Sequence, residues 1–229
     1  MDFVMASDNI SDSPQVVRTG KRAQQARETR EKILKAAVKV FAEDGFSGGR
    51  IDRISKEADS NDRMIYYYFG NKEKLFLEVL ESIYLAFNEA ERRLDLDLSD
   101  PVEALKGIVR FTFAYYLAHP EFVAILNDEN LHRGRHSRQS NNIQNISGDI
   151  QSNLKPVFEE GQKRGLFRPD VSVRNLYLTI SALTYFYCSN QHTLTIFMNQ
   201  DFKSPEFQSQ WLNHIIDVTL NSVVIRGES

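Results

Sequence analysis

The chain has 229 residues, which is enough for one large domain or two smaller ones with a sizeable core. Its hydrophobic content of 41% and charged content of 26% are those of an ordinary globular protein. With Cys188 as its one cysteine, the chain cannot form an internal disulfide or a cysteine cluster for zinc or iron–sulfur. It has no apolar run long enough to cross a membrane, and its first 17 residues lack the order of a signal peptide. We therefore expect a cytoplasmic protein with no membrane partner.

Charge is distributed unevenly along the chain, although the net charge is only −3. Residues 18–80 contain 14 lysines and arginines against 10 aspartates and glutamates, whereas residues 81–229 contain 14 against 18. The residues before them are polar and acidic, so we expect residues 1–20 to form a disordered tail. A basic front followed by an acidic body indicates two functions in two parts of the chain.

Helical spacing of apolar residues runs through the whole sequence, and no stretch alternates long enough to indicate a strand. The first four helices are predicted over Ala23–Asp44, Ile51–Ala58, Asp62–Phe69 and Lys72–Leu94. Gly45 ends the first, whose apolar face consists of Ile33, Leu34, Ala37, Val40 and Phe41. Asn61 and Asn71 are suitable N-caps for the third and fourth.

Five further helices are predicted, which makes an all-α fold of about nine helices. They cover Pro101–His119, Glu121–Leu131, Ile143–Arg164, Val171–Asn190 and a last helix that starts at Pro205. Asp100 offers a cap with proline at the first helical position, and Pro156 predicts a kink. We expect a linker with some local order between Asn190 and the last helix.

Two short helices joined by the tight turn Ala58–Asn61, after a supporting helix, form the layout of a helix-turn-helix DNA reader. The second short helix contains the triplet Tyr66, Tyr67 and Tyr68. Successive helical residues advance by about 100°, so the three rings fan over roughly 200° of a thin helix. They cannot all be buried, and at least one must face outward.

The sequence between Thr29 and Leu75 resembles the DNA-binding domain of the TetR family of bacterial transcriptional regulators. The resemblance rests on TREKILKAAVKVFAEDGF, on Ile54 and Ala58, and on MIYYYFGNKEKL, in register without a gap. Downstream, HPEFVAILNDENLHRGRH, EEGQKRGLFRPDV and YCSNQHTLTIF are similar to one branch of the family. The resemblance implies a three-helix helix-turn-helix domain over residues 21–71. It also implies a larger helical effector-binding and dimerisation domain over residues 72–229.

Roles for individual residues follow from the resemblance. The implied DNA-binding residues are Arg50, Asn61, Asp62, Arg63, Met64, Tyr66, Tyr67, Tyr68 and Lys72. In the family the tyrosine pair contacts thymine methyl groups and phosphates, and the lysine at the start of the fourth helix binds a phosphate. This chain departs from the family pattern at Asp62–Met64, which we expect to set the preferred operator, and at Asp59, where a turn glycine is usual. Aspartate tolerates the left-handed conformation at some cost.

Several alternatives stay open at this stage. Arg63 could contact a base or a phosphate, or be an ordinary solvated side chain. Asp62 could accept from a cytosine amino group or stabilise the N-terminus of its own helix. The basic residues Arg18, Lys21 and Arg22 could form a flexible arm in the minor groove or belong to a solvated tail.

An effector site is expected in the C-terminal part, where aromatic and polar residues cluster. The candidates are Phe111, Tyr115, Tyr116, His119, Asn127, Glu129, His132 and Arg133. Aromatic walls with a few polar groups favour a small aromatic or anionic ligand, and ordinary core and surface roles are the alternative. His132 and His136 have the spacing of a metal site, but Gly134 lies between them and no third ligand is near. We predict no metal and no cofactor.

A homodimer is expected, because one short recognition helix reads few base pairs. In the family the last two long helices of each subunit form a four-helix bundle. The candidate interface residues are Leu176, Ile180, Leu183, Phe186, Tyr187, Trp211 and Ile215, for which an internal core position is the alternative.

The function that these patterns favour is a repressor that binds a palindrome in double-stranded DNA as a dimer and is released by a small-molecule effector. Such a protein is associated with the nucleoid when it is bound to DNA. The alternatives are an all-α enzyme and a helical interaction module without DNA binding. No nucleophile elbow, phosphate loop or convincing acid–base pair is present, so we predict that the chain is not an enzyme.

Overall fold

The computed structural model of the chain describes residues 14–143 and 153–225. Its helices are α1 (Pro14–Gly48), α2 (Ile51–Glu57), α3 (Asp62–Phe69), α4 (Lys72–Arg92), α5 (Pro101–Ala118), α6 (Pro120–Leu131), α7 (Leu154–Lys163), α8 (Val173–Met198) and α9 (Pro205–Val223). Residues 137–139 add a short 3₁₀ turn. The predicted all-α class is confirmed, and within these two segments extended pairing is limited to the bridge between Phe167 and Val224. None of the helices described is both long and apolar enough to span a membrane.

The N-terminal helices pack around the apolar face predicted for α1. Ile33, Ala37, Val40 and Phe41 are buried, and Leu34 is half-buried against the same core. The prediction was wrong at the beginning of α1, because the helix starts at Pro14 rather than Ala23. Residues 14–20 are therefore helical and not part of a disordered tail, whereas residues 1–13 lie outside the described segments.

Helix ends follow the capping signals in the sequence. The side-chain oxygen of Asn61 accepts from the Met64 N–H at 3.2 Å, and that of Asn71 accepts from the Lys74 N–H at 2.8 Å. Asp100 caps α5 in the same way through the Glu103 N–H at 3.0 Å. These bonds satisfy N–H groups that have no acceptor within the helix. The three predicted caps are confirmed.

Gly45 interrupts α1 as predicted. Its φ of 68° and ψ of 176° lie in a region that only glycine occupies readily. The chain then makes one more turn through Gly48, which the Gly49 N–H closes by donating to the Gly45 carbonyl at 2.9 Å. That extra turn carries Phe46 and Ser47 away from the α1 axis, toward α6.

The C-terminal helices pack around α5, which contacts α6, α7, α8 and α9. The linker predicted after Asn190 is wrong, because α8 continues to Met198 and ends at Asn199, whose φ is 49°. No glycine or proline occurs between Val173 and Met198, so nothing in the backbone chemistry ends the helix earlier.

Helix α7 begins at Leu154, which differs from the helix predicted over Ile143–Arg164. Residues 144–152 lie outside the described segments. Pro156 falls in the first turn of α7, where a missing N–H costs no helical hydrogen bond. The longer helix in which it was predicted to form a kink includes residues outside the described segments. The backbone beyond α7 pairs with the end of the chain, where the Ile225 N–H donates to the Leu166 carbonyl at 2.9 Å.

Glu91 is a buried carboxylic acid in the last turn of α4. It is 4% exposed, and its Oε2 has no hydrogen-bond partner in the described structure. Burial raises its pKa from 4.5 to about 7. The folded protein therefore holds a proton here that the unfolded chain releases between these two pH values, and stability falls as the pH rises through this window.

Replacing Glu91 with glutamine should remove this loss of stability at higher pH. We expect Glu91→Gln to exceed the wild type in unfolding free energy by about 2–3 kcal/mol at pH 8, with the difference shrinking toward zero near pH 4.5. Urea unfolding at both pH values measures it. Glu159→Gln, an exposed change on α7, serves as the control. A Glu91→Gln difference that is equal at both pH values would contradict a raised pKa.

Candidate functional site

The turn between α2 and α3 fixes how α3 is presented. Asp59 adopts a φ of 48°, the left-handed conformation expected where a turn glycine is usual. The buried Ser55 hydroxyl donates to Asp62 Oδ1 at 2.5 Å, which ties the two short helices together. Asp62 thus has a partner within its own helix-turn-helix unit.

Helix α3 divides its aromatic triplet between core and solvent. Ile65 and Phe69 are buried, whereas Tyr66 is 51% exposed and Tyr67 is 76% exposed. Tyr68 is half-buried, with its ring centroid 5.1 Å from that of Tyr67. The fan of directions inferred from helical geometry is confirmed, and two tyrosines project from the surface.

Charged residues border this exposed face. Arg63 is exposed on the first turn of α3 and forms no ion pair within residues 14–143 and 153–225. Met64, beside it, is half-buried against the core. Arg50 is exposed and donates to both carboxylate oxygens of Asp52, at 2.9 and 3.0 Å, which raises the arginine pKa. Exposed pairs of this kind are weak, so a phosphate can displace Asp52.

Lys72 lies at the N-terminus of α4, where backbone N–H groups and a cation can share one anion. Its Nζ donates to the Ser47 carbonyl at 3.4 Å and sits 4.8 Å from the centroid of the Phe46 ring. Partial burial lowers the Lys72 pKa, and the charges of Glu73 and Asp128 oppose that shift. Lys72 is thus held between a carbonyl and a ring.

The basic residues before the first predicted helix do not form a flexible arm. The backbone at Arg18, Lys21 and Arg22 is helical and continuous with α1. Lys21 and Arg22 are exposed.

A cavity of about 240 Å³ opens among α4, α5, α6 and α8. It is lined by Tyr84, Phe87, Tyr116, Phe122, Leu126, Asn130, Tyr177, Ser181 and Tyr185. Burial raises the pKa of Tyr84 and Tyr185 to about 12, so both hydroxyls stay protonated and able to donate. The Tyr185 hydroxyl donates to Asn127 Oδ1 at 2.7 Å, which orients it at the cavity wall.

The residues predicted for a ligand pocket are not all at this cavity. Tyr116 lines it, and Asn127 supports it through Tyr185. Phe111 and Tyr115 pack instead against Phe87, with ring centroids 5.7 and 5.0 Å from it. Grouping residues by nearness in sequence on α5 and α6 therefore selected only part of the lining.

Four other predicted pocket residues lie elsewhere. His119 stacks on Tyr115 and lines a separate cleft of about 440 Å³ between α1, α4 and α5. Glu129 is buried and accepts from the His136 and Ser137 backbone N–H groups at 2.9 and 2.8 Å. His132 faces Ser47 at the end of α1, with 3.4 Å between His132 Nε2 and Ser47 Oγ, and Arg133 is exposed with a φ of 58°. None of these four residues is among those that line the aromatic cavity.

Sequence reasoning missed the cavity residues that come from α4 and α8. Tyr84 and Phe87 are three apart, and Tyr177, Ser181 and Tyr185 follow each other at intervals of four, so each set shares one helix face. That spacing was available in the sequence. What it could not show is that the two faces meet.

Among the predicted interface residues, burial separates two groups. Leu176, Ile180, Tyr187 and Ile215 are buried in the core of the single chain, which leaves them no surface for a partner. Leu183 and Trp211 are half-buried, and Phe186 is 55% exposed. These four residues occupy the internal core position that was their alternative. The outward face of α8 instead carries Leu178, Ala182 and Phe186, all exposed and spaced by four.

Comparison with known proteins shows the family to which the chain belongs. Residues 33–79 match the family described as bacterial regulatory proteins, tetR family, and residues 101–219 match the tetracyclin repressor-like C-terminal domain. The chain is 54% identical over 209 residues to the HTH-type transcriptional repressor NicS of Pseudomonas putida, covering 91% of this chain and 99% of that protein. It is 31% identical over 163 residues to the HTH-type transcriptional repressor SCO4008 of Streptomyces coelicolor, covering 68% and 76%.

Solved structures agree with this assignment. The hemolysin II transcriptional regulator HlyIIR has a TM-score of 0.54 and 27% identity over 84% of this chain and 97% of its own. The fatty acid degradation regulator FadR from Bacillus halodurans has a TM-score of 0.64 over 83% and 93% of the two chains; at 21% identity it supports the fold alone. The chain belongs to the tetR family of bacterial regulatory proteins and is a DNA-binding transcriptional regulator, not an enzyme.

Proposed function

We propose that the protein represses transcription as a cytoplasmic homodimer, which binds a palindromic operator and releases it when a small aromatic effector fills the tyrosine-lined cavity. In this proposal residues 21–71 read DNA, and residues 72–229 bind the effector and form the dimer. The observation that carries it is the division of α3, where Ile65 and Phe69 anchor the helix while Tyr66 and Tyr67 project into solvent.

The exposed face of α3 has the chemistry that base recognition needs. Arginine forms its commonest specific contact with guanine in the major groove, and Arg63 has no protein partner to give up among the described residues. The rings of Tyr66 and Tyr67 are suited to thymine methyl groups, and their hydroxyls to phosphates. Lys72 and Arg50 supply charge for phosphates at the edge of this face. Asn61 and Asp62 hold the first turn of α3 in shape.

Two copies of the chain are required to read an operator of useful length. Helix α3 has eight residues, so it is only about 12 Å long and spans few base pairs. Two such helices placed about 34–36 Å apart read a palindrome. The exposed apolar stripe of Leu178, Ala182 and Phe186 offers a surface for the second copy, with half-buried Leu183 and Trp211 beside it.

The tyrosine-lined cavity suits a ligand with one or two aromatic rings. Its volume of about 240 Å³ is small, and its walls are mainly aromatic with a few hydroxyl and amide groups. The nine lining residues that the structure describes include no lysine, arginine or histidine. The lining therefore supports an aromatic ligand more than an anionic one.

Selection of bound DNA from random sequence should return a palindrome, and two variants should then separate base reading from phosphate binding. Arg63→Ala should cost about 1–3 kcal/mol on the selected operator and relax the preference at one base pair of each half-site. Lys72→Ala should weaken all sequences alike and lower the salt slope of log K by about 2, one phosphate contact per subunit. Fluorescence anisotropy over a salt series measures both. If selection returns no palindrome, or if both variants lose the same affinity on every sequence, this division of roles is contradicted.

Breaking the α8 stripe should separate the subunits. Phe186→Asp places a charge in the proposed interface, so we expect a monomer by light scattering and the loss of cooperative operator binding. Leu131→Asp changes a residue that is 82% exposed at the end of α6 and should leave the dimer intact. A Phe186→Asp protein that remains dimeric would exclude this face as the interface.

Filling the cavity should uncouple the effector from DNA. Ser181→Phe adds a ring in the space between Tyr177 and Tyr185, so compounds that raise the melting temperature of the wild type should no longer do so. If a releasing compound still stabilises Ser181→Phe, the effector binds elsewhere.

A further inference from the structure

The C-terminal half of α6 is tied to the turn that ends α1. The non-helical ψ of Gly45 points the N–H of Phe46 away from the α1 hydrogen-bond ladder. That N–H donates to Asp128 Oδ2 at 2.9 Å. A Cβ built on Gly45 would lie 2.6 Å from Asp128 Oδ1, so only glycine allows the carboxylate so close. The Asp128 side chain is only 16% exposed, which strengthens the bond.

The same turn holds Lys72. The ring of Phe46 lies under the ammonium group, and the Ser47 carbonyl accepts from Lys72 Nζ at 3.4 Å. A second contact supports the turn from α6, where His132 Nε2 is 3.4 Å from Ser47 Oγ. The His136 ring, held by the buried Glu129, packs 4.4 Å from the Phe46 ring. The position of Lys72 therefore depends on a turn that is itself held by residues 128–136.

The opposite side of α6 faces the aromatic cavity. Leu126 and Asn130 line it, and Asn127 accepts from the Tyr185 hydroxyl. Asp128 lies between these residues in sequence but about 200° around the helix from both Leu126 and Asn130. One side of α6 thus lines the cavity, and the other side supports the turn that holds Lys72.

We infer that Asp128 is a positioning residue for DNA binding, which holds the Gly45–Ser47 turn so that Lys72 is placed to receive an operator phosphate. This inference rests on the proposed function and adds to it a residue in the C-terminal half that determines affinity at the DNA surface. Asp128 acts through Lys72 and touches no DNA. A shift of α6 alters the same hydrogen bond, which links the cavity to one phosphate contact.

The inference is tested by a double-mutant cycle on the selected operator. Asp128→Ala should weaken binding about tenfold and lower the salt slope by about 2, as Lys72→Ala does. In the Lys72→Ala background, Asp128→Ala should have no further effect, because the contact that it supports is already gone. Asp128→Asn keeps an oxygen acceptor for the Phe46 N–H and should retain most of the affinity. Glu121→Gln, a carboxylate change in the first turn of α6, should leave binding unchanged.

A merely structural role gives a different result. Asp128→Ala would then lower the melting temperature and weaken binding by the same factor with and without Lys72, at an unchanged salt slope. That outcome, or wild-type affinity in Asp128→Ala, would overturn the inference while the proposed function stands. If the wild type itself selects no operator, the result contradicts the proposed function and not only the role of Asp128. The two failures are therefore distinguishable.

Discussion

Burial of Ile65 and Phe69 is the constraint on which the DNA-facing surface depends. Helix α3 buries the side that carries these two residues, so their burial determines which other side chains remain in solvent. Tyr66 and Tyr67 project outward for that reason, and Arg63 joins them. Asp62 ties the start of the same helix to α2, which fixes how this face is presented.

Helix caps could be predicted from the sequence, because they depend on neighbouring residues. Contacts between distant parts of the chain could not. Caps such as Asn61 and Asn71 act within four residues, so their type and spacing suffice to predict them. The end of α8 was misplaced because polar residues after Asn190 suggested a linker, although no glycine or proline interrupts the helix before Met198. Helix boundaries of this kind depend on what the helix packs against as well as on its own sequence.

The candidate site shows the same limit. The residues proposed to bind DNA lie within one short segment, so the family pattern and helical geometry predicted them together. The cavity draws on four helices, and only Tyr116 among its nine lining residues belonged to the predicted set. Glu129 and His132 looked like ligand contacts because they follow the aromatic run on α5. Glu129 instead accepts from the His136 and Ser137 backbone N–H groups, and His132 faces Ser47 at the end of α1, since a helix turns its successive residues to different neighbours.

Helix α8 has 26 residues and contributes to two different surfaces. Tyr177, Ser181 and Tyr185 face the cavity, and Leu178, Ala182 and Phe186 stand one position later on the outward side. Inserting or deleting a single residue near the start of this helix would rotate everything after it by about 100°. An insertion would put the tyrosine row in the outward place, and a deletion would put the outward row at the cavity. Either change removes both rows from their present places, so both surfaces constrain the length of α8 before Tyr177.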